Sequence, residues 1–94
     1  ESEFNRWMKD HTQLSESSIK KYQNAVRKIS NDLVKLDLAV SSLEEITTQC
    51  DLDNLKRTYF SIDEYKELDR RGNNMYSAGF NRLIEYQKFR LGAA

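Results

Sequence analysis

Proline is absent from this 94-residue chain, glycine occurs three times, and cysteine and histidine occur once each. Without proline, long helices keep their backbone ladder uninterrupted. With so little glycine, a turn-rich β-sandwich is excluded. Cys50 has no second cysteine to pair with, so no internal disulfide forms, and a reducing, cytoplasmic setting is expected. A nucleophilic Cys50 needs a base, and nothing in the spacing links it to His11. One His and one Cys do not make a metal ligand set, and no Asp/Gly loop of EF-hand type is present. No cofactor and no metal are expected. Net charge is lacking too, with 15 basic and 15 acidic side chains. No apolar run approaches the roughly 20 residues that span a bilayer, so no membrane partner is expected. The start, Glu1-Ser2-Glu3, is neither an initiator Met nor a signal peptide. The end, 92–94, reads as a tail or linker, and a single domain over 1–91 cut from a larger protein is expected.

What is present is helical periodicity. Phe4, Trp7 and Met8 share one face of a short helix over 3–10. A segment this short must dock on a core to persist, and Trp7 is its natural anchor. Ser15 is a good N-cap, with Leu14 and Ile19 at hydrophobic-staple spacing and Glu16 in the first turn. Ile19, Tyr22, Val26, Ile29 and Leu33 then recur at three and four residues, predicting a helix over 16–34. Leu36, Leu38 and Val40 alternate, but with no partner strand this stretch reads as an irregular connection. Ser42 with Glu45 makes a capping box for a single turn, followed by a loop over 47–50. Asp51 or Asp53 caps a helix bearing Leu52, Leu55 and Tyr59, and Ser61 with Glu64 introduces Ile62, Tyr65 and Leu68. Gly72 suits a left-handed helix end, and Asn73 or Asn74 caps a last helix over about 74–90. There Met75, Gly79, Leu83 and Tyr86 share a face. Gly79 in mid-helix costs about 1 kcal/mol against Ala; it marks either a close helix–helix approach or a tolerated cost. The fold class is all-α, a compact bundle of four to five helices.

Charge is uneven along the chain. Residues 1–30 carry six basic and four acidic side chains, 31–66 four and eight, and 67–94 five and three. A basic face forms if the two ends meet. Two candidate contact regions follow. Lys20, Lys21, Arg27 and Lys28 lie on the second helix, with Lys20, Arg27 and Lys28 spread over a face mostly opposite its apolar stripe, and they either bind phosphates or form an ordinary solvated face. Arg70, Arg71, Asn73 and Asn74 sit at the start of the last helix, where free amides and the helix dipole favour an anion. Arg82 extends that row, with Tyr76, Asn81 and Lys88 nearby. The plain alternative is a capped turn. Glu44, Glu45, Asp51 and Asp53 lack the cleft that general acid–base work requires, and the five tyrosines lack the basic partners of a nucleophile. The chain is therefore expected not to be an enzyme.

Two stretches carry a family resemblance. Leu14-Ser15-Glu16-Ser17-Ser18-Ile19-Lys20-Lys21-Tyr22 with Ala25-Val26-Arg27-Lys28-Ile29, preceded by Phe4, Trp7 and Met8, resembles the SAM-like core-binding domain of tyrosine recombinases and phage integrases. The segment Tyr65 to Tyr86, and most specifically Gly72-Asn73-Asn74-Met75-Tyr76-Ser77-Ala78, is similar to an accessory helical domain in front of nuclease or McrB-like domains of bacterial restriction enzymes. The resemblance implies a small helical bundle that binds double-stranded DNA. The catalytic domain of a recombinase, with its Arg, His and Tyr nucleophile, has no counterpart here, so strand cleavage is not implied.

The expectation is thus a DNA-binding accessory module of a larger restriction or recombination protein, with the rest of that protein as partner and a homodimer possible. The alternative is a protein-interaction or dimerisation module that positions a nuclease or motor domain. Convergence of the basic ends favours the first, and an exposed apolar patch around Leu36, Leu38 and Val40 favours the second.

Overall fold

A computed structural model describes residues 3–39, 43–46 and 48–92. Five α-helices form a bundle: α1 Glu3–His11, α2 Glu16–Lys35, α3 Gln49–Tyr59, α4 Asp63–Arg71 and α5 Met75–Gly92, with a 3₁₀ turn at Leu43–Glu45. There is no strand among the described residues.

The helices form where capping and periodicity place them, with four differences. Ser15 caps α2 by accepting the Ser18 N–H at 3.2 Å, and Leu14 packs against the core that holds Ile19. α3 begins earlier than expected, at Gln49, so Cys50 and Asp51 lie in its first turn and Thr48 holds the cap position without a side-chain bond. Asp51 there acts through the helix dipole. α4 begins at Asp63 with Ile62 at the cap position; Ser61 instead turns back, its hydroxyl donating to the Thr58 carbonyl at 2.7 Å. Gly72 does not take the left-handed conformation. Its φ is −90°, and Asn73 and Asn74 carry the positive φ, at 56° and 64°, which asparagine tolerates better than most residues. Finally, α5 runs on to Gly92, so position 92, expected in the tail, is helical. Ser42 and Val40 lie outside the described residues.

α2 ends in a Schellman motif. The Asp37 N–H donates to the Val34 carbonyl at 3.1 Å and the Leu38 N–H to Leu33 at 2.9 Å. The left-handed position usually given to glycine is filled by Asp37, φ 58°. The alternating Leu36 and Leu38 are therefore a helix end and its exit.

α5 is the central element and packs on all four other helices. Its Phe80, Leu83 and Tyr86 meet Phe4 and Met8 of α1, Ile19, Val26, Ile29 and Leu33 of α2, and Leu52 and Tyr59 of α3 in one core. Gly79 is the point of closest approach. A Cβ there would stand 3.2 Å from the Tyr22 carbonyl oxygen and 3.3 Å from the Ala25 Cβ. Of the two explanations for this glycine, close helix–helix contact is the one observed. Trp7 is nearly buried, with the rings of Tyr86 and Phe89 centred 5.8 and 6.3 Å away, which anchors α1 to the end of α5. No helix is long and apolar enough to cross a membrane among the described residues.

Candidate nucleic-acid interface

The crossing at Gly79 sets the geometry. By helical angles of 100° per residue, Lys20, Asn24, Arg27 and Asn31 lie on the outward face of α2, and all four are exposed. Lys21 and Lys28 lie on the flank that turns toward Ala25, the residue α5 touches. Lys21, one turn before Ala25, thus borders the crossing. On α5, Met75 precedes Gly79 by one turn, about 6 Å of rise. The Gly72–Asn74 turn thus precedes this crossing by one to two turns of α5, and a contact that ties α4 to α2 lies at Lys28, whose ammonium stands over the Tyr65 ring.

The nine candidate residues differ in how they are held. Lys20, Lys21, Arg27, Arg71, Asn73 and Asn74 are exposed. Arg70 is exposed but paired with Glu67, which raises the guanidinium's affinity for its proton and holds the Glu67 carboxyl below the usual range. Arg70 and Asn74 also line a hollow of about 470 Å³ whose other walls are Asp63, Glu67, Asp69 and Lys66, an acidic setting for an anion. Arg82 pairs with Glu85 at 3.1 Å. Lys28 is tied most firmly. Its ammonium lies 2.7 Å from Asp32 Oδ2 and 5.6 Å from the centre of the Tyr65 ring. The same Asp32 oxygen accepts the Tyr59 hydroxyl at 2.8 Å, and Tyr59 stacks on Tyr65 with ring centres 4.3 Å apart. Lys28 is thus part of a linkage joining α2, α3 and α4.

The start of α5 is also occupied from within. Asp69 Oδ1 accepts the Ser77 N–H at 2.9 Å, so one free amide of the first turn already has its anion. Asparagine does not do this capping.

Several of these residues carry little signal in the sequence. Asp69 lies eight residues before the amide it accepts, outside any standard capping spacing. Tyr59 is fully buried; burial and the neighbouring Asp32 push its pKa up. The Lys28–Asp32 pair was legible as an i,i+4 spacing of opposite charges. Among the described residues no group of three or more His, Cys, Asp or Glu side chains is placed to hold a metal ion, and Cys50 is exposed and unpaired with another cysteine.

No protein-family model matches this chain, and neither curated proteins nor solved structures yield a match.

Proposed function

We propose that this chain is a DNA-binding accessory module of a larger, cytoplasmic restriction or recombination protein and has no catalytic role of its own. The observation that carries this is the exposure of Lys20, Lys21 and Arg27 along α2 and of Arg71 at the end of α4. These four cations meet the phosphates, and Asn73 and Asn74, also exposed, present amides from the turn before α5. Such groups bind phosphate and fix the orientation of a duplex without reading its sequence. Arg70 and Arg82 contribute less. Their exposed pairs with glutamate are weak, about 0–1 kcal/mol each, but must be exchanged for phosphate. Lys28 serves the fold. Zero net charge is met by segregation, with the acidic excess placed in 31–66.

The test is fluorescence anisotropy of a labelled duplex titrated with the domain at several salt concentrations. Four neutralised phosphates give a log–log slope of roughly −3 to −4. The double variant Lys21→Ala/Arg71→Ala should keep the far-ultraviolet dichroism unchanged and lower that slope by about 2. A domain that fails to bind even at ~10 mM salt has some other function.

A further inference from the structure

The end of α2 carries two features that a stable fold would avoid. Asp37 adopts a left-handed φ of 58°, a conformation that favours glycine over residues with a side chain. It also places a carboxylate at a helix C-terminus, where the dipole opposes negative charge. Backbone outliers of this kind concentrate at binding sites, where the cost is retained for function. Beside Asp37 is a groove of about 380 Å³, its apolar walls made by Leu38, Ala39, Ile46 and Leu55 and its rim by Asp37, Asp51 and Asn54. Leu38 is 42% exposed, and Leu36 and Val34 at the same helix end are 42% and 44% exposed. Among its described lining residues there is no basic side chain.

We propose that this acidic-rimmed apolar groove docks an amphipathic helix of a partner protein or domain, one with leucine-like side chains on one face and lysine or arginine at its flanks. The apolar walls take the hydrophobic stripe, as in other helix-in-groove complexes. The carboxylates of Asp37 and Asp51 select the basic flanks and repel an acidic helix. The site is independent of the DNA reading. It lies past Leu36, about 24 Å along α2 from Lys20.

The test uses a fluorescein-labelled 18-residue helical peptide with Leu at i, i+3, i+4 and i+7 and Lys on the flanks, and a second peptide with Glu in place of every Lys. The lysine peptide should bind and the glutamate peptide should not. Asn tolerates positive φ, so Asp37→Asn/Asp51→Asn removes charge while keeping the turn. It should weaken lysine-peptide binding roughly tenfold, and Leu38→Ser should weaken it further. Circular dichroism confirms that both variants stay folded. Binding that is absent at ~1 mM, equal for the two peptides, or indifferent to these variants overturns the proposal. So does a concentration-dependent dimer in sedimentation velocity that Leu38→Ser dissolves, since the occupant would then be a second copy. None of these outcomes touches the duplex titration, whose failure is read separately.

Discussion

At the scale of single residues, the buried carboxylate Asp32 organises more of the molecule than any of the exposed charges. It is nine-tenths buried and binds both Lys28 and the Tyr59 hydroxyl. Removing one partner leaves a desolvated acceptor with fewer donors, so Tyr59→Phe should destabilise the domain by about 1–3 kcal/mol, seen as a lower Tm. The pKa of Tyr59 is raised in the fold, whereas the unfolded chain ionises its tyrosines near pH 10. The folded state therefore holds the proton more tightly. Stability from this group is complete below pH 10 and falls as pH rises above it, because the unfolded state binds fewer protons there. Tyr65 and Tyr86 are shifted the same way, so Tyr59→Phe should flatten the alkaline loss of stability in denaturant titrations without abolishing it. Asp37 presents the opposite case. Asp37→Gly relieves a left-handed side chain and a repelled charge together, and should raise stability by about 1 kcal/mol. A Tm below that of the parent would show that Asp37 makes a stabilising contact.

At the scale of elements, the contact between α2 and α5 depends on a missing side chain. Gly79→Ala gains helix propensity of about 1 kcal/mol, but its Cβ would crowd the Tyr22 carbonyl and Ala25 on the longest helix. Backbone cannot swing aside as a flexible side chain does, so the two helices must part as bodies. Overpacking of this kind costs about 1–3 kcal/mol. The net effect of Gly79→Ala should be destabilising, and Gly79→Leu more so, by urea unfolding. A more stable Gly79→Ala would mean that the helices give way freely. The five helices were legible in the sequence because the apolar spacing of α2 and α5 and the Ser15 cap are local. The starts of α3 and α4, and the left-handed pair Asn73–Asn74, were misplaced. At the starts of α4 and α5 the decisive groups, the Thr58 carbonyl on Ser61 and Asp69 on Ser77, override the usual capping residues, and α3 starts at Gln49 with no side-chain cap. The candidate contact residues were legible as charges. Their separation into exposed cations and the tethered Lys28 was not, because Tyr59 and Tyr65 reach it only through the tertiary fold.

At the scale of the whole molecule, zero net charge conceals a polarity along the long axis of α2. Lys20 and Lys21 stand near its start and Arg27 just past its middle; Asp37 follows its end, after Lys35, with Asp51 across the groove. The protein extends about 34 × 27 × 19 Å, and Lys20 and Leu36 are about 24 Å apart along the helix. That separation exceeds the Debye length of about 8 Å at physiological ionic strength but falls within the roughly 30 Å that applies at 0.01 M. The acidic end should therefore be invisible to a duplex bound at the basic end in 0.15 M salt and felt at 0.01 M. Asp37→Asn/Asp51→Asn should leave duplex affinity unchanged in the first condition and raise it severalfold in the second. Equal enhancement at both salt concentrations would place the carboxylates within contact distance of the DNA and move the interface across the groove. The opposite double variant, Lys20→Ala/Arg27→Ala, should weaken duplex binding at both, because charges that touch phosphate act through released counterions.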